Sequence, residues 1–146
     1  MTELEVNAIE EKFNKNTGMN LTSECSKNEQ IHLSTYGFVN RVEKIIKEEI
    51  KSRSPRTDMD DLSALQTTAI EEAVLEQITY VLVNGDYSLI VGYDTANNSL
   101  AELKELRKRQ WSPLAIKILT NAGLFYGGLD PKGRYPYFEE GGYYYR

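Results

Sequence analysis

Residues 60–85 read DDLSALQTTAIEEAVLEQITYVLVNG, a run without proline or internal glycine that carries helix formers from end to end. Its apolar residues recur at the three- and four-residue spacing of one helical face. The pattern predicts a helix from about Asp61 to Asn84 with Leu62, Leu65, Ala69, Ala73, Ile78, Val81 and Leu82 turned inward. Asn84-Gly85 supplies the stop signal. At ~1.5 Å per residue such a helix is on the order of 35 Å long, the scale of a small domain, so the remaining elements are expected to pack around it.

Two segments precede it. Thr2 followed by Glu5 forms a capping-box pattern ahead of Val6, Ile9 and Phe13, which predicts a short helix over about residues 3–15. Residues 17–33 are polar and show no period, and read as a loop or linker. Residues 34–56 restore the pattern: Phe38, Val39, Val42, Ile45, Ile46 and Ile50 share one face while Arg41, Lys44, Glu48 and Lys51 take the other, until Pro55 ends the helix. The aspartates of PRTDMDD, residues 55–61, are placed to cap the long helix.

Beyond Gly85, residues 87–93 read as a short strand or structured loop. Ser99 with Glu102 is a second capping-box pattern, opening a helix in LAELKELRKRQ. Ser112, Pro113 and Gly123 mark the cap, first turn and end of another. The chain closes on GRYPYFEEGGYYYR, residues 133–146, which has no helical period and contains Pro136 and Gly141-Gly142. The expectation is an all-α fold, a small helical bundle around one long helix with an extended C-terminal tail. Residues 1–33 form an N-terminal helix and linker, 34–130 the main helical domain and 131–146 the aromatic tail.

The chain has 146 residues and a formal net charge of -5, the size of one domain and the wrong sign for a protein that coats nucleic acid. Its opening residues lack the basic and apolar regions of a signal peptide, so synthesis and retention in the cytoplasm are expected. One cysteine, Cys25, and one histidine, His32, are too few for a structural zinc site, and no third group is placed to orient them as a nucleophile and base. Asp58, Asp60 and Asp61 lack the glycine of a calcium loop, and Gly127-Gly128 come after a helix instead of opening one as a phosphate loop would. No enzyme, cofactor or metal is expected. The basic residues of the helices near 41–56 and 104–109 alternate with glutamates, as solvated faces do.

Residues 70–93 and 109–129 carry a more particular signal. Ala73, Gln77, Tyr80, Asn84, Gly85, Gly92 and Tyr93, together with Ser112, Pro113, Ala115, Leu119, Gly123, Leu124 and Tyr126, resemble the pattern of head-tail connector (adaptor) proteins of tailed bacteriophages, especially those of Gram-positive hosts. The resemblance covers about residues 36–130. It implies a helical virion subunit forming a ring, commonly of twelve copies, beneath the portal. Such a ring links the capsid to the next connector (stopper) or the tail, and DNA passes through it without specific binding. It also implies that a C-terminal segment grips the portal protein. Tyr135, Tyr137, Phe138, Tyr143, Tyr144 and Tyr145 are then the anchors, with Glu139 and Glu140 seeking basic residues. The alternative is a small helical phage regulatory or nucleic-acid-binding protein that uses the basic helix near Arg107.

Overall fold

The computed structural model describes residues 1–28, 31, 33–84 and 110–125, and all regular structure among them is helical. The elements are α1 (Glu3–Thr17), α2 (Leu21–Lys27), α3 (Thr35–Arg53), α4 (Ala64–Asn84) and α5 (Pro113–Asn121). The expected strand or loop at 87–93, the helix opened by Ser99 and the tail at 131–146 lie outside the described residues.

α1 begins at the capping box. Thr2 accepts from the Glu5 amide at 3.3 Å, and the Glu5 carboxylate accepts from the Thr2 amide at 2.8 Å, satisfying two otherwise orphaned donors. The helix runs to Thr17 and stops at Gly18, whose φ of 75° is the left-handed conformation that a side chain disfavours. Its start is fixed on α3, where the Tyr36 hydroxyl donates to the Met1 carbonyl at 3.3 Å.

The polar stretch after α1 is not a linker. Asn20 caps α2 by accepting from the Ser23 amide at 2.9 Å, and Asn14 of α1 accepts from the Leu21 amide at 2.8 Å. These two side-chain amides fold the chain back, so that Leu21 and Cys25, one turn apart, are buried with Ile31. Val6, Ile9, Phe13, Leu21 and Cys25 belong to the same buried cluster as the residues of α3, α4 and α5. The core therefore begins at residue 6, well before the segment expected to start it.

α3 buries Phe38, Val39, Val42, Ile46 and Ile50, with Ile45 partly covered at the edge of the same stripe. Each large apolar side chain removed from water in this way contributes about 1.5–3 kcal/mol. α4 starts at Ala64, a little later than expected, and the aspartates do not cap it. Ser63 and Gln66 do, in a reciprocal pair at 3.1 and 3.0 Å. Asp58 instead folds the preceding turn by accepting from the Asp60 amide at 3.0 Å.

α4 packs against α1, α3 and α5, and its buried set spans Ala69, Ile70, Ala73, Val74, Leu75, Gln77, Ile78 and Val81. That arc is wider than a single stripe because three helices cover it. Leu65, expected inside, is 71% exposed. It lies on the inward stripe by period, but in the first turn of α4, where no described residue covers it; period fixes the direction of a side chain and not the presence of a neighbour. Leu62 and Leu82 are partly buried at the two ends.

The three positions expected to be equivalent thus separate. Ile78→Ala should cost about 2–5 kcal/mol, Leu82→Ala less, and Leu65→Ala within about half a kcal/mol of zero, measured by denaturant unfolding.

Candidate functional site

α5 is tied to the rest of the molecule at both ends, and both ties come from buried polar groups. Gln77, 1% exposed in the middle of α4, donates through Nε2 to the Gln110 carbonyl at 2.8 Å and accepts at Oε1 from the Ser112 amide at 2.8 Å. One side-chain amide therefore satisfies a donor and an acceptor of the backbone just ahead of α5. Ser112 then caps the helix by accepting from the Ala115 amide at 3.2 Å, and Pro113 occupies the first turn, where no amide is needed.

At the far end the Gly123 amide donates to the Thr120 carbonyl at 3.0 Å and the Leu124 amide to the Leu119 carbonyl at 2.8 Å. Gly123 has φ 77°, so the end of α5 is a Schellman motif. Leu124 is held in turn by α3: the Ser54 hydroxyl, fully buried, donates to the Leu124 carbonyl at 2.5 Å. Phe125 meets Trp111 edge to face with ring centroids 6.0 Å apart, and the Arg53 guanidinium carbon lies 4.5 Å from the Phe125 centroid. Arg53 is oriented by Glu49 at 2.8 Å. Both aromatic rings are buried. The chain thus proceeds toward its tail from a fixed point built by the end of α3, Trp111 and the end of α5.

Tyr135, Tyr137, Phe138, Glu139, Glu140, Tyr143, Tyr144 and Tyr145, the residues expected to engage a partner, lie outside the described residues, as does His32. Cys25 is buried, and burial, reinforced by Glu10 and Glu24 against a hydrogen bond from Thr35, pushes its thiol up to about 11. Such a thiol is protonated at neutral pH and makes a poor nucleophile. Among the described residues no group of three or more His, Cys, Asp or Glu side chains is placed to hold a metal ion, and no helix is long and apolar enough to cross a membrane.

A second feature was invisible in the sequence. Between α1 and α4, with Ile118 of α5 at one side, runs a groove of about 330 Å³. Leu75, Ile9 and Ile118 supply apolar surface, while Glu5, Glu71, Glu72 and Glu76 rim it and Lys12 is the one cation among the described lining residues. The acidic residues come from two helices far apart in the chain, so no local pattern announces the cluster.

Compared with protein-family models, curated proteins and solved structures, the chain matches none.

Both the Gln77 clamp and the buried thiol have measurable effects on stability. Replacing Gln77 by Leu removes the side-chain partner of the buried Ser112 amide and of the Gln110 carbonyl, and at about 1–3 kcal/mol for each group the unfolding free energy should fall by roughly 2–6 kcal/mol. Because the folded-state pKa of Cys25 is raised from 9.0 to about 11, the folded chain holds its proton longer than the unfolded one. That contribution is complete below pH 9 and is lost as the pH rises toward 11. A Cys25→Ala chain should show a shallower loss of stability over that window in denaturant titrations.

Proposed function

We propose that this chain is a structural, non-enzymatic subunit of the head-tail connector of a tailed phage. In this reading it is a small helical bundle with α4 as its long central helix, assembled as a ring below the portal protein and joined to the next connector or the tail. Its final site is the virion, after synthesis in the host cytoplasm.

The observation that carries this reading is the Gln77 clamp. Gln77 and Ser112 are two of the residues on which the resemblance to connector proteins rests, and they meet in one hydrogen-bonded unit. Ala73, Ala115, Leu119 and Leu124, further members of that set, are all fully buried. A scattered pattern of common residues thus acquires a shared physical role, seating α5 on α4. The pattern's Gly85, Gly92, Tyr93 and Tyr126 lie outside the described residues.

The proposal assigns portal binding to the tail. Its aromatic residues supply large contact area at small cost in rotamer entropy, and Glu139 and Glu140 pair with basic portal residues. The fixed point at Leu124 and Phe125 gives that tail a firm base. The charged outer faces of the helices favour a free subunit that is monomeric at physiological salt and forms its ring on the portal as template.

Deleting residues 134–146 tests the assignment. The shortened chain is expected to unfold with nearly unchanged stability but to join no capsids, read by purifying particles and probing them for the subunit. A truncated chain that completes infectious particles, or one that no longer folds, would refute the role given to the tail.

A further inference from the structure

We infer that the acidic groove between α1 and α4 is the seat of the basic face of α3 from a second copy of this chain. The inference rests on the ring assembly proposed above and names the contact that would build it. Among the described residues lining the groove, Glu5, Glu71, Glu72 and Glu76 outnumber Lys12, which favours an elongated, positively charged occupant. α3 presents such an element on its outer side. Lys44, Glu48 and Lys51 are exposed at helical spacing, and Arg56 continues the line in the turn beyond.

The sizes and signs agree. Lys44 to Lys51 spans on the order of 10 Å of helix, and Thr68 to Glu76 along the groove on the order of 12 Å. The acidic residue in the stripe, Glu48, has a counterpart in Lys12, the cation among the described lining residues of the groove.

Among the described residues of one copy, the groove and the basic stripe do not meet. α3 lines no part of the groove among the described residues: its apolar face, Phe38, Val42 and Ile46, is turned into the core, and Lys44 and Lys51 are exposed. Groove and stripe are two different surfaces of one molecule. Their pairing is head to tail, the kind of contact that yields a closed ring when the rotation between copies closes. Being charged, it is screened by salt, which agrees with a subunit that gathers on a template.

Charge reversal with complementary mixing tests this. One variant carries Glu72→Lys and Glu76→Lys, the other Lys44→Glu and Lys51→Glu; all four positions are exposed or half-exposed, and circular dichroism checks that each chain is folded. Association is read by sedimentation velocity of the full chain at about 10 mM and about 150 mM salt, where the screening length falls from about 30 Å to about 8 Å. The wild type is expected to associate at low salt and to be monomeric at the higher one. Each variant alone should bind itself at least about tenfold more weakly, and an equal mixture of the two should regain association, because each reversed surface then faces its opposite. Should a reversal unfold the chain, Glu72→Gln with Glu76→Gln removes the charge more gently and is expected to weaken association in the same direction.

A wild type that stays monomeric at low salt, variants that associate as it does, or a mixture that gains nothing would overturn the inference. Capture by portal-bearing capsids is scored separately. Charge-dependent pairing without capture leaves the groove contact standing and removes the connector reading, whereas capture by a chain with a reversed groove does the opposite.

Discussion

The placement of α5 depends on one buried side-chain amide. An unpaired backbone donor or acceptor in the core costs as much as a lost hydrogen bond, and the segment entering α5 brings one of each, the Gln110 carbonyl and the Ser112 amide. Gln77 answers both from the middle of α4. No aliphatic residue can do so, and Glu would offer two acceptors and no donor. This explains a polar group at a position otherwise suited to leucine. It also fixes α5 in register, since a shift by one residue would leave the amide facing the wrong partners. With α5 in place, Trp111, Ala115, Leu119 and Leu124 complete a core that α1 to α3 leave open on that side.

What could be read beforehand was whatever local rules decide. The capping box at Thr2 and Glu5, the apolar stripe of α3 and the Ser112-Pro113 start of α5 involve residues within a turn or two, and the helical class of the described residues results from them. Where two local rules competed, the more conspicuous one misled: Asp58, Asp60 and Asp61 have the chemistry of caps, yet Ser63 and Gln66 do the capping, and Ser-x-x-Gln is itself a cap pattern. α2 has only seven residues and two buried ones, too few for a period to emerge from polar surroundings. Asn20 was its signal, a capping residue immediately ahead of Leu21, whose own amide is tied to α1.

The rest was not legible because it is made between elements. Nothing near Gln77 in the chain says that it is inside; its partners lie 33 and 35 residues away. The acidic groove exists only once α1 has been laid beside α4. Leu65 shows the converse, an inward position by period that is left 71% exposed. The aromatic tail, read as the partner-binding segment, is a matter of composition, and its role rests on the resemblance and on the firmness of the point from which it departs.

The bond between Ser54 and Leu124 joins residues 70 positions apart, and this gives the molecule a particular response to tension. A pull on the chain beyond Phe125 does not simply peel α5 from its end. The force passes at once into the last turn of α3 through Ser54 and the Arg53 guanidinium, and into the Leu119 carbonyl through the Leu124 and Phe125 amides. Several contacts on two helices carry the load together, so rupture requires them to fail in concert instead of one after another.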